Sequence, residues 1–214
     1  MKKSVLITLI VTISFPFSLL LADSDWQYWY NYKASLDLKD NLVISVAPEF
    51  RCKDYLDNYY THIETGLDWK IRKWISLSTK YRHIITRKGD DCEQEYHPYI
   101  DIKFMPSFFK LNLSNRSRME WRIKDNDDSF RYRNQTSIKL PIITLLPIYP
   151  YFAEEFFYDF QVDKINKNRI YAGVEFPLGQ KFGALASYIL ESNIVNNSWL
   201  GINILKLEFK YNIN

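Results

Sequence analysis

From Trp26 onward, apolar and polar residues take turns along the chain with a period of two. In the first segment Trp26, Tyr28, Tyr30, Tyr32, Ala34, Leu36 and Leu38 fall on one face, against Gln27, Trp29, Asn31, Lys33, Ser35 and Asp37. Lys39-Asp40-Asn41 reads as a turn. Leu42, Ile44, Val46, Pro48 and Phe50 then oppose Ser45, Ala47, Glu49 and Arg51. Successive side chains of a strand point to opposite faces, so this alternation predicts strands, and helical spacing fits neither segment. The pattern returns over 59–71, 75–82, 95–104, 110–122 and 130–140, and less cleanly near 148–160, 168–178, 182–192 and 198–211.

The connections predict a shape. Short ones follow Leu38, Ile71, Met105, Leu140 and Leu178, and longer polar ones occupy 52–58, 86–93, 123–129, 161–167 and 192–197. Short turns at one rim and long loops at the other are the habit of outer-membrane barrels. The expected fold is all-β, an antiparallel up-and-down transmembrane β-barrel of about 10–12 strands. The segments number about 11, whereas bacterial single-chain barrels have even counts. One segment is therefore expected to be spurious, and the first is the suspect. A secreted soluble sandwich or lipocalin-like barrel would give similar strands but would bury its apolar face and expose its polar one.

The N-terminus changes the picture. Lys2 and Lys3 precede an apolar run from Val5 to Leu21, which Ala22 closes before Asp23-Ser24-Asp25. That order predicts a cleaved signal peptide over 1–22 and a barrel domain over 23–214; an uncleaved anchor is the alternative. Without the leader, 26 basic residues face 25 acidic ones, a balance unlike the clustered excess of a nucleic-acid binder. Aromatics make up 17% of the chain. Membrane barrels place such residues in belts at both lipid–water interfaces.

Several short stretches resemble a known family. They are Trp29 to Arg51, ending Pro48-Glu49-Phe50-Arg51, then Asn115-Arg116-Ser117-Arg118 and Phe130-Arg131-Tyr132-Arg133-Asn134. Glu154-Glu155-Phe156-Phe157 and Asn168-Arg169-Ile170-Tyr171-Ala172-Gly173 complete the set. Together they are similar to the small Gram-negative outer-membrane barrels grouped as domain of unknown function 2490. The resemblance implies an outer-membrane location and carries no established activity.

A charge on the lipid face near the bilayer midplane costs about 2–4 kcal/mol, so the charged faces are expected to point inward. That gathers Arg116, Arg118, Glu120, Arg122, Arg131, Arg133, Glu155 and Arg169 as a lumen cluster. It would act as an anion-favouring constriction, or as a salt-bridge network filling a narrow lumen. Adjacent Glu154 and Glu155 cannot both point inward without a bulge. His62, Glu64, Ser78 and His97 also fall on inward faces, which keeps an envelope- or lipid-modifying hydrolase as the alternative function. No zinc spacing, phosphate loop or nucleophile elbow is present, and no metal or cofactor is expected. Cys52 and Cys92, in an exported chain, are expected to form a disulfide between two loops at one rim. The expected function is a narrow pore or a structural surface protein. Its partners would be outer-membrane lipid and lipopolysaccharide, the barrel-assembly machinery during insertion and at most a small solute.

Overall fold

The computed structural model describes residues 26–53, 56–108, 111–125, 127–141, 147–196 and 198–214. The expected signal peptide lies outside them. Eleven long strands and one very short strand account for nearly all of the described chain. They are β1 (Trp26–Lys39), β2 (Leu42–Lys53), β3 (Asp57–Arg72), β4 (Ile75–Lys88), β5 (Asp91–Phe104) and β6 (Ser107–Phe108). After these come β7 (Leu111–Arg122), β8 (Ser129–Lys139), β9 (Tyr149–Asp159), β10 (Lys164–Pro177), β11 (Phe182–Val195) and β12 (Ser198–Asn212). Each long strand pairs with its sequence neighbour, β5 pairs directly with β7, and β1 pairs with β12. The sheet closes on itself as an all-β barrel.

The odd count is real, and the suspect first segment is a full strand. An up-and-down chain of eleven strands ends running the same way as it began, so its first and last strands can close only in parallel. They do so, from Trp26 beside Asn203 to Ser35 beside Asn212. Parallel pairing is slightly weaker per residue, but it leaves no open edge. The expectation of an even number failed because it assumed antiparallel closure throughout.

The connections also differ from expectation. The segments 52–58, 86–93 and 192–197, read as long loops, belong largely to strands, whereas β7 ends at Arg122 before β8 starts at Ser129, and β9 ends at Asp159 before β10 starts at Lys164. Gly89 has a φ of 63° at the first position of its two-residue turn, where a side chain would be strained. The longest link, 140–148, lies at the opposite rim. Polar turn residues ran into polar strand ends, so composition alone misjudged where the ladders stop.

Outward positions are mostly apolar and open, with Ile63, Ile100 and Ile102 each at least half exposed. Aromatic pairs lie near both ends: Trp121 stacks with Phe130 at one, and at the other Trp74 meets Phe104 edge to face while Phe182 stacks with Tyr211. A polar island on β7–β10 breaks the apolar exterior, as His83 with Gln94 and Tyr188 with Asn203 do elsewhere. Asn115, Ser117, Asn134 and Thr136 hydrogen-bond across β7 and β8, and Glu154 accepts from Asn168 at 3.2 Å across β9 and β10. Glu154 thus stays outside while Glu155 turns in, with no bulge between them.

The closure is testable by cross-linking. In a chain with both native cysteines changed to serine, Tyr30→Cys and Leu207→Cys stand side by side across β1 and β12. Oxidation is expected to join them in the folded protein, while Tyr30→Cys paired with Leu200→Cys stays reduced. A Tyr30–Leu207 pair that never joins would contradict the parallel closure.

Candidate functional site

The inward faces carry the chemistry. Alternation places Arg116, Arg118, Glu120 and Arg122 of β7 on the inside, with Arg131 and Arg133 of β8, Glu155 of β9 and Arg169 of β10. Two carboxylates organise them. Glu120 accepts from Arg131 at 2.6 and 2.8 Å and from Arg133 at 2.7 Å, with Arg118 at 3.3 Å. Glu155 accepts from Arg133 and Arg116 at 2.7 Å and from the Tyr171 hydroxyl at 2.7 Å, and Arg169 stands 3.8 Å away. Seven of the eight expected residues therefore form one network. Arg122 stands apart, between Glu95 at 3.4 Å and Asp159 at 3.7 Å.

Partners that the sequence reading passed over complete the network. Asp101 grips Arg118 through two bonds of 2.6 and 2.8 Å, the forked geometry that makes guanidinium–carboxylate pairs strong. Glu191 holds Arg169 at 2.5 Å, and Glu49 holds Arg51 at 2.8 Å and Lys206 at 3.0 Å. Aromatic rings supply further faces for the guanidiniums. Arg118 lies 3.8 Å from the Tyr99 ring centre, Arg133 4.5 Å from Phe157, and Arg51 3.7 Å from Trp29. Desolvated cation–π contacts of this kind contribute on the order of 2 kcal/mol. The available signal was an aromatic on the polar parity of an alternating strand, as Trp29 is.

Together these side chains form a girdle around the lumen. Every long strand contributes an inward residue no more than 7% exposed. On one wall Trp29, Glu49, His62, Ile84 and Tyr99 carry it from β1 to β5. Glu120, Arg133, Phe157 and Arg169 continue it on β7 to β10, and Ile189 and Ile204 close it. Trp29, Ile189 and Ile204 pack as a small apolar core inside the barrel, with Tyr171 and Ile202 against them. That core explains the untidy alternation of the later strands: there, both faces are apolar.

The lumen holds a cavity of about 1350 Å³ that reaches from the rim of Asp40, Lys73 and Pro106 past the girdle side chains to Glu95, Arg122 and Lys167. Its lining holds 18 lysines and arginines against nine aspartates and glutamates. Gly66 keeps the wall thin, because a Cβ there would lie 2.5 Å from the Lys80 side chain, which crosses toward Asp68 and Glu64.

The hydrolase candidates do not assemble. Ser78 donates to Asp68 at 2.5 Å, Glu64 is held by Arg82, His97 meets Glu95 at 2.8 Å, and His62 stands 3.8 Å from Glu49. No contact joins a serine to a histidine among them. Among the described residues, no group of three or more His, Cys, Asp or Glu is placed to hold a metal ion.

The expected disulfide is absent. Cys52 is buried near the end of β2, Cys92 is exposed near the start of β5, and both are free thiols. Cys92 lies in the fifth strand, not in a loop after the fourth. Three strand spacings, about 14–15 Å at about 4.7–4.9 Å each, separate it from β2, well beyond disulfide reach.

These features define the class as a closed β-barrel with a charged, self-filled lumen. The chain belongs to the family DUF2490, described as a protein of unknown function, whose pattern it matches over residues 26–199. No curated protein and no solved structure shows significant similarity to it.

Two expectations follow. Arg118→Glu or Arg131→Glu would leave like charges beside buried Glu120, costing about 3–5 kcal/mol by analogy with broken buried ion pairs. Lys39→Glu, exposed at the end of β1, should stay within about 0.5 kcal/mol. Urea unfolding followed by gel mobility compares them, and equal losses in all three would contradict the network. For the cysteines, thiol labelling without reductant is expected to find two thiols per chain, Cys92 reacting faster than Cys52. An intact mass corresponding to one internal bridge would overturn that assignment.

Proposed function

We propose that this chain is an outer-membrane β-barrel closed at mid-height by its own side chains, a structural envelope protein with a one-sided cationic vestibule. The girdle supports this reading, since every long strand places an inward residue no more than 7% exposed there. The exterior supports the membrane location: apolar strands bounded by aromatic pairs suit a bilayer core between two interfaces. The ring of strands satisfies the backbone internally, as spanning a membrane requires. The polar island on β7–β10 spends its hydrogen bonds within itself, which lowers the cost of facing lipid.

A second reading, a narrow anion-favouring pore, is favoured by the twofold excess of basic over acidic residues lining the lumen's cavity. The two readings share the barrel and differ only in whether the girdle parts.

Fractionation is expected to place the chain in the outer membrane, with heat-modifiable migration on a gel; recovery as a soluble periplasmic protein would overturn the location. In planar bilayers the unaltered barrel is expected to stay sealed. Phe157→Gly removes the ring on which Arg131, Arg133 and Arg169 rest, and is expected to produce discrete anion-selective steps. Similar steps from the unaltered chain would favour the pore and contradict the closed girdle.

A further inference from the structure

Two pairs of like charges face each other across strands in the vestibule, and the fold does not require either. Lys103 of β5 stands directly opposite Arg116 of β7. On the far wall Lys33 of β1 stands directly opposite Lys210 of β12. Like charges directly opposite on one sheet face destabilise the pairing. The two walls face one lumen, whose cavity lining also includes Lys139.

Nearby carboxylates offset the group only in part, Asp68, Glu208 and Glu64 acting on Lys33 without an ion pair. Glu175 is shared between Lys139 and Lys210, the latter at 3.6 Å, and Glu208 reaches Lys210 at 3.4 Å. Arg116 is bound to Glu155, which also serves Arg133. Among the described residues, neither Lys33 nor Lys103 forms an ion pair. All five cations line the lumen's cavity, and none of them is among the buried residues.

We propose that Lys33, Lys103, Arg116, Lys139 and Lys210 form a binding site for a multiply charged phosphate group. A single-charge anion would offset one cation, whereas a phosphate presents oxygens in several directions and can meet both walls together. Lysines supply point charges to it, and an arginine can add a forked contact. The group could come from a soluble phosphate entering at the open rim or from a phosphorylated lipid headgroup. The proposal rests on reading the lumen as a cationic vestibule open at the rim of Asp40 and Lys73, but it does not depend on where the barrel resides.

Refolded protein in zwitterionic detergent is titrated calorimetrically with pyrophosphate and, separately, with a short-chain phosphatidic acid. Saturable one-to-one binding of either ligand is expected, and which of them binds more tightly identifies the source. Lys33→Gln and Lys103→Gln are each expected to weaken binding about tenfold or more while raising the melting temperature, because each removes a like-charge opposition. Lys88→Gln, at the opposite rim beside Glu93, should change neither. A heat-modifiable barrel that binds neither ligand more tightly than it binds chloride overturns the site. So does a Lys103→Gln variant that binds as tightly as the unaltered chain. Binding by a barrel that fractionates as soluble would support the site while overturning the membrane location, so the two failures are distinguishable.

Discussion

Two carboxylates, Glu120 and Glu155, sit inside the barrel with almost no surface left to water, at 0% and 1% exposure. Isolated ions so placed would cost several kcal/mol each, so they persist only with guanidiniums on their oxygens. Supplying those guanidiniums dictates much of the interior. Arg118, Arg131 and Arg133 must converge on one acid, and Arg133, Arg116 and Arg169 on the other. Arginines in turn need flat faces and further acids, which Tyr99, Phe157, Asp101 and Glu191 provide. The outcome is a packed ring that fixes the order of neighbouring strands more specifically than an apolar filling could.

The ring also determines what the barrel can do. Eleven strands enclose room for side chains, and near the girdle those side chains use it. Away from it the wall residues change to lysine, serine, glycine and glutamate, and an open cavity remains. On the proposed reading, the molecule is divided along its axis into a closed middle and a cationic mouth. The parallel seam stands beside the apolar part of the girdle, where Trp29 of β1 packs with Ile204 of β12. A weaker backbone pairing is accompanied there by the barrel's internal apolar core.

Much of the fold was legible because the side-chain period of a strand is two, and Trp26 to Leu38 or Leu111 to Arg122 display it plainly. The inward arginines followed from the cost of placing charge outside. Three things were hidden. Parity misled, because parallel closure leaves no mark on either β1 or β12 alone. Strand ends misled, because Cys92, Glu93 and Lys88 are as polar as loop residues yet continue a ladder. The partners Asp101, Glu49 and Glu191 were unreadable, since pairing across strands depends on register that alternation does not fix. Glu154 shows the limit of the rule itself: an exterior charge is tolerated where Asn168 can meet it.

The division of the lumen is most directly examined by cysteine accessibility along β12, in a chain whose native cysteines are replaced by serine. Lys210, Glu208, Lys206 and Ile204 descend one inward face from the mouth to the girdle, their exposure falling to 0% at Ile204. Single cysteines at these positions would be treated with a bulky, charged thiol reagent applied to the folded barrel. The account predicts rapid reaction at 210 and 208, slower reaction at 206 and none at 204 until the barrel is unfolded. Uniform reaction at all four positions would mean that the lumen is open through its middle, and would contradict the closed girdle.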